Sequence, residues 1–278
     1  MTLEILICTL DEGINNIPAM LLEPCNDIGY VVSWQHSEGK DIALPEELRR
    51  DDVKICNLAG RGLSRNRNNC IEHATADVCL ISDDDCRYTH EQLQTVIDTY
   101  TQNPSIDIAT FMYSGEGEGE GDSKHYPEQI TNLREFPKGY YVSSIEVSFW
   151  RQSIQGKVWF NENFGLGTEP FHCGEENLFI QDALALELNC QFFPVTIVHD
   201  QQPLEFLNRS MDTGTLMAHG ADLQIFHSGT KHLRALLKAW RMRRDEKVPF
   251  IYGLCNIHKG ISYMKRHPEM LKNKRKMP

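Results

Sequence analysis

The chain has 278 residues, 41% of them hydrophobic, enough for one large α/β domain, or one domain with a smaller appendage; this excludes a disordered or fibrous chain. The net charge of −11 hides an asymmetry: residues 227–278 carry 14 Lys and Arg against 3 Asp and Glu, and residues 1–226 carry 14 against 36. An acidic body excludes general nucleic-acid binding, while the basic end suits an anionic membrane surface.

No run approaches the roughly 18–20 apolar residues that cross a bilayer. The first residues, MTLEILICTL, lack a basic leader and a small-residue cleavage site and read as a strand. The expectation is therefore a cytoplasmic protein, with any contact at the inner face of the membrane left to the basic end. Nine cysteines without a CxxC pair argue against a zinc cage. Cys8, Cys56 and Cys79 lie in apolar runs and read as small buried hydrophobes.

In chain order, Leu3 to Thr9, Tyr30 to Gln35 and Val53 to Leu58 read as strands. Ser64 to Thr75 reads as a helix with Ser64 as its N-cap, and Asp77 to Ser82 as a strand. Thr89 to Gln102 is helical, and Ile106 to Tyr113, Tyr140 to Phe149 and Gln191 to Val198 are further strands. This alternation predicts an α/β fold with a largely parallel sheet flanked by helices, whose ligands gather at the carboxyl ends of the strands. Gly115 to Gly121 reads GEGEGEG. Its three glutamates would repel a pyrophosphate, so it is an acidic loop: a solvated linker or a lid. From about Gln201 the pattern turns helical, with Leu233, Leu236, Leu237 and Trp240 at helical spacing among basic residues. That stripe either packs on the rest of the protein or lies on an anionic bilayer.

An apolar strand runs into Asp83-Asp84-Asp85. In an extended chain Asp83 and Asp85 point the same way, and their repulsion invites a divalent cation such as Mg²⁺ or Mn²⁺; a polar turn is the other reading. Upstream, Arg65 and Arg67 stand near the start of the Ser64 helix, where a cation opposes the helix dipole and favours an anionic partner. Further on, Gly174-Glu175-Glu176 opens another helix, where glutamates serve as caps or as a general base.

GLSRNRN, a helix, and a strand ending in DDD together resemble the family 2 glycosyltransferases of the GT-A fold, over about residues 3–200. The resemblance implies a catalytic domain over 1–200, divided into a nucleotide-binding half, 1–113, and an acceptor half, 114–200, followed by a basic helical extension over 201–278. It implies inverting transfer of a sugar from a nucleotide-diphosphate donor, UDP by preference, to an acceptor hydroxyl on a glycan or a lipid-linked acceptor, as in bacterial polysaccharide assembly. The base would be Glu176, or Glu175 because glutamate replaces the commoner aspartate. Thr9, Leu10, Gln35, Arg65, Arg67, Asp83 and Asp84 would meet the donor. Asp85 and Asp83, with His199 as an extra ligand, would hold Mn²⁺ or Mg²⁺. Trp150, Trp159 and Phe164 are acceptor platforms or core. Two rivals stay open: a sugar-nucleotide nucleotidyltransferase, for which Cys8 to Gly13 is a poor phosphate loop, and a non-catalytic nucleotide-sugar-binding protein.

Overall fold

The N-terminal segment LEILICTL is apolar on both faces, the pattern of a strand covered on both sides, and it forms β1 (Leu3–Leu10) at the heart of the sheet. The computed structural model describes residues 1–115, 124–135, 140–200, 212–245 and 248–272. On one side of β1 lies β2 (Ile28–His36), then β3 (Val53–Ala59); on the other lies β4 (Val78–Asp83), and all of these pairings are parallel. Beyond β4 the sheet becomes mixed. β8 (Val147–Trp150) runs antiparallel to both β4 and β6 (Ile108–Gly115), and β6 runs parallel to β9 (Cys190–Asp200). The short strands β5 (Cys86–Arg87) and β7 (Thr131–Asn132) pair antiparallel with β9.

Helix α1 (Leu63–His73) connects β3 to β4, and α2 (His90–Gln102) leads to β6. Thr89 caps α2: its hydroxyl accepts from Gln92 N at 3.2 Å, and the Gln92 side chain accepts from Thr89 N at 2.9 Å. Leu93, Val96 and Tyr100 of α2 join Ile5 and Ile7 of β1, Val32 of β2 and Leu80 of β4 in the main core. The buried cysteines include Cys8, Cys56 and Cys79, as their apolar settings imply. Helix α3 (Arg151–Ile154) follows β8, and α4 (Glu175–Ala185) precedes β9.

Two sequence expectations need correction. Tyr140 to Phe149 is not one strand: a 3-10 turn, Ser144–Glu146, precedes β8. The Glu146 carboxylate accepts from Ser143 N at 2.8 Å, which favours a turn over extension. Ser64 lies inside α1 and does not cap it; its hydroxyl donates to the Phe164 carbonyl at 2.6 Å.

The chain divides into two compact units. The first comprises Met1–Arg61, Arg65–Phe160 and Glu176–Gln201, and contains every strand named above. The second comprises Gly62–Ser64, Asn161–Glu175 and Gln202–Pro278. It takes in the glycine-rich aromatic loop as well as α5 (Thr213–Phe226), α6 (Lys231–Asp245) and α7 (Phe250–Arg266). In this unit α5 and α7 meet backbone to backbone. A Cβ on Gly220 would lie 2.0 Å from the Ile257 carbonyl oxygen, and one on Gly260 would lie 1.9 Å from that of Met217. Ala235, Ala239 and Met242 of α6 pack into the same small core with Leu216, Ile257 and Ile261. The Leu/Trp stripe of α6 is not packed; all four of its residues are exposed. Among the described residues no helix is long and apolar enough to cross a membrane. Residues 116–123, most of the GEGEGEG loop, and residues 201–211 lie outside the described residues.

Candidate active site

The acidic triplet sits where β4 ends. Asp83 is the last residue of that strand, and Asp84 and Asp85 form the turn into β5. The alternation expected of an extended chain therefore stops at Asp83. Thr9, buried at the end of β1, donates its hydroxyl to Asp84 Oδ2 at 2.5 Å. A Cβ on Gly13 would lie 2.2 Å from that same oxygen, so Asp84 and Thr9 occupy their places only because residue 13 is glycine. Burial pushes the Asp84 carboxyl up to about 6; the Thr9 hydroxyl opposes this, and the charges of Asp85 and Asp83 add to it.

Helix α1 supplies the neighbouring wall, and its asparagines explain why the run Arg65-Asn66-Arg67-Asn68-Asn69 is so polar yet so buried. Asn66 Nδ2 donates to the Thr9 carbonyl at 3.0 Å, and Asn69 Nδ2 to Ser33 Oγ at 2.7 Å. Asn68 grips the backbone of Phe160 in both directions, donating to its carbonyl at 2.9 Å and accepting from its N–H at 2.8 Å. Each amide satisfies backbone or hydroxyl groups at the ends of strands or in the segment before the loop.

Arg67 is the centre of the arrangement. Its side chain is 2% exposed and lies 5.3 Å over the Phe160 ring. Nη2 donates to Ser144 Oγ at 2.6 Å and lies 3.5 Å from Asp83 Oδ1, while Nη1 donates to Glu176 Oε1 at 3.2 Å. Phe160 in turn stacks on Phe179 of α4 at 4.3 Å between ring centroids, which fixes the helix that carries Glu176. One buried guanidinium thus links the end of β4 with the first turn of α4.

The other expected residues separate cleanly. Arg65 points elsewhere, donating to the Ala59 carbonyl at 2.8 Å at the end of β3. Leu10 is exposed, and Gln35, its register partner on β2, is buried. Glu175 is buried, and Gly165, in the left-handed region at φ +106°, is packed so closely that a Cβ there would lie 3.1 Å from Glu175 Cδ. Glu176 has a side chain that is 20% exposed. His199 uses both ring nitrogens on other partners, Nδ1 with Ser114 Oγ at 2.5 Å and Nε2 with the Gln92 side-chain amide at 3.2 Å. It is not grouped with Asp83 and Asp85: among the described residues no three His, Cys, Asp or Glu are arranged to hold a metal. The donor set at the β4 turn is nevertheless hard carboxylate oxygen under mutual repulsion. That suits Mg²⁺ or Mn²⁺ when substrate oxygens complete the shell. Trp159 and Phe164 are buried, and the half-buried Trp150 packs edge-on against Tyr100; these three belong to the packing of their own segments.

A second buried polar cluster was invisible in the sequence. Lys124 and Glu146, with side chains 3% and 0% exposed, pair at 2.6 Å. Tyr126 donates to Glu146 Oε1 at 2.5 Å, and Lys124 faces the rings of Tyr113, Tyr126, Tyr140 and Tyr141. Burial pulls the Lys124 ammonium down, and the charges of Glu146 and Glu176 oppose that shift.

The comparisons with known proteins bear on the family and the fold. A family model described as glycosyl transferase family 2 matches residues 37–156, the stretch that holds α1, β4 and the acidic triplet. Over that stretch, 120 of the 278 residues, the chain is similar to the family 2 glycosyltransferases. A glucosyl-dolichyl phosphate glucuronosyltransferase of Haloferax volcanii is 28% identical over 113 residues, which cover 37% of this chain and 36% of that relative. The match therefore spans about a third of the relative's length. Among solved structures, S. aureus TarS shares the fold with a TM-score of 0.54 at 14% identity, covering 88% of this chain and 43% of that one. The TarS 1-349 structure matches at a TM-score of 0.54 and 13% identity, covering 98% and 92%. The same form solved with UDP-GlcNAc matches at 0.54 and 12%, covering 97% and 92%. At these identities the likeness is one of fold, and it spans most of the chain.

Proposed function

We propose that the chain is an inverting glycosyltransferase that moves a sugar from a nucleoside-diphosphate donor, UDP by preference, to an acceptor hydroxyl on a glycan or lipid-linked acceptor. The observation that carries this reading is Arg67, which holds Asp83 and Glu176 on the two sides of one guanidinium. Uridine is preferred because structural neighbours were solved with UDP-GlcNAc and with UDP.

Glu176 is the base, since its carboxylate is partly reachable while Glu175 is buried against Gly165. As the acceptor oxygen attacks the anomeric carbon, Glu176 takes the hydroxyl proton, the bond from that carbon to the diphosphate breaks, and the nucleoside diphosphate leaves with the electron pair. Attack from the face opposite the leaving group inverts the anomeric centre. Arg67 serves as a positioning residue for both carboxylates; its burial among protein partners replaces the phosphate contact expected from the sequence. Thr9 and Asp84 form the floor beside the donor, with Leu10 at its exposed edge. A divalent cation, Mn²⁺ or Mg²⁺, held by Asp85 and Asp83 would neutralise charge growing on the departing diphosphate.

Transfer assays over UDP-, GDP- and dTDP-sugars with and without Mn²⁺ test the reading. Glu176→Gln is expected to retain donor binding by calorimetry and lose at least a hundredfold in kcat, with product of inverted configuration in the wild type. Asp85→Ala is expected to abolish the Mn²⁺ response. Retained configuration, or unchanged turnover in both variants, would overturn it.

A further inference from the structure

The apolar stripe of α6 faces away from everything that α6 packs against. Leu233, Leu236, Leu237 and Trp240 are 62%, 46%, 48% and 53% exposed, while Ala235, Ala239 and Met242 are at most 2% exposed. At about 100° per residue, the mean directions of these two sets lie roughly 140° apart around the helix. The helix has therefore spent its small residues on the protein and kept its large ones for another surface. Scattered exposed leucines are ordinary, but four large apolar side chains in one stripe on one helix are not. Ile251, in the first turn of α7, is 75% exposed as well.

The charges say what that surface is. Helix α6 carries six Lys and Arg and a single Asp, and its sequence alternates them with the stripe: KHLRALLKAWRMRRD. Arg234, Arg241 and Arg243 are exposed, and the Arg244 guanidinium lies 5.1 Å over the Trp240 ring, a cation beside an indole as at a membrane interface. A second copy of this chain meeting the first helix to helix would bring twelve cations together at the core of the contact, where protein interfaces are depleted of charge. A bilayer containing anionic lipid satisfies both halves of the helix at once: the stripe enters the acyl boundary and the long basic side chains reach back to the headgroups.

We infer that α6 is an in-plane membrane-binding helix selective for anionic lipid, with Trp240 inserted. The inference is independent of the sugar-transfer reading, because it uses no residue of the Asp83–Arg67–Glu176 arrangement.

The test is flotation of the full chain with vesicles of phosphatidylcholine alone or with 30% phosphatidylglycerol, at low and high salt. Flotation with the anionic vesicles only, weakened by salt, is expected. Leu237→Glu and the triple variant Arg234→Gln, Lys238→Gln, Arg241→Gln should each reduce the bound fraction at least tenfold. Their melting temperatures should stay unchanged, since Leu237, Arg234 and Arg241 are exposed and Lys238 is only half-buried. Trp34 and Trp159 are buried and Trp150 is half-buried, so a blue shift of tryptophan emission on adding vesicles should come from Trp240 and vanish in Trp240→Phe, which should still float. Failure of the wild type to float, equal flotation with neutral vesicles, or a concentration-dependent dimer that Leu237→Glu dissolves while vesicles are ignored, would each overturn the inference.

Discussion

Arg67 Nη1 donates to Glu176 Oε1 at 3.2 Å across 109 residues of sequence. The same guanidinium reaches Asp83 and Ser144, so three segments of the first unit converge on one buried cation. Removing a partner from a buried, hydrogen-bonded charge cluster leaves the others uncompensated. Arg67→Met is therefore expected to lower unfolding free energy by about 3 kcal/mol, with Arg67→Lys intermediate because an ammonium cannot serve three directions from a planar fork. Arg65→Met, which loses one exposed contact to the Ala59 carbonyl, should cost less than about 0.5 kcal/mol. Urea denaturation of the three variants checks the ranking.

Asn68 makes a narrower case. It satisfies both the N–H and the carbonyl of Phe160, 92 residues away, in a fully buried setting. Asn68→Ala strands two buried backbone groups and should cost about 2–4 kcal/mol. Asn68→Asp retains an acceptor for the Phe160 N–H but sets a carboxylate against the Phe160 carbonyl, so it should be no better than alanine at neutral pH. Thermal melts of both variants test this.

These two examples mark what the sequence could and could not reveal. The strands from Leu3 to Thr9, Tyr30 to Gln35 and Val53 to Leu58 were legible because burial on both faces writes itself as a local apolar run. The acidic triplet and Glu176 were legible because like charges in a row, or at a helix start, are anomalies within a few residues. The roles of Asn66, Asn68 and Asn69 were not, since a buried amide has no local signature and its partner is fixed only by the folded topology. The same holds for Ser144 and for the Lys124–Glu146 pair. On α6 the period was legible, but which face packs was left open. Apolar size alone marked the leucines, whereas the face of α6 that packs carries alanine and methionine, with Ala239 Cβ 4.0 Å from where a Cβ on Gly253 would lie.

Asp84 offers a test in pH. Its carboxyl is raised from 3.8 to about 6, chiefly by burial. A carboxyl raised on folding contributes stability that is present below pH 3.8 and lost as pH rises through about 6, because the folded state then holds a charge the unfolded chain carries more easily. With metal chelated and no nucleotide present, Asp84→Asn should be more stable than the wild type at pH 7.5 by about 1–2 kcal/mol, and the gain should fade by pH 4. Thr9→Val should raise the Asp84 pKa further, since it removes the 2.5 Å hydrogen bond to the carboxylate. Denaturation across pH and NMR titration of the carboxyl carbons measure the two effects.

The Lys124–Glu146 pair yields the last prediction. Burial raises the Glu146 carboxyl, and Lys124 is the main influence holding it down. Lys124→Met leaves that carboxylate at 0% exposure with no cation and should cost about 3–5 kcal/mol at neutral pH. Without Lys124 the Glu146 pKa rises further, so the variant's deficit should grow as pH climbs through that raised value and shrink in acid, where the protonated carboxyl is easily buried. Adding Glu146→Gln removes the charge while keeping an acceptor for Tyr126 and Ser143 N. The double variant should recover at least about 2 kcal/mol over Lys124→Met at pH 8 and show little dependence on pH. Urea titrations at pH 5 and pH 8 decide this: a Lys124→Met deficit that is the same at both values would mean that lost packing of the lysine stem against the tyrosine rings, and not an abandoned charge, sets its cost.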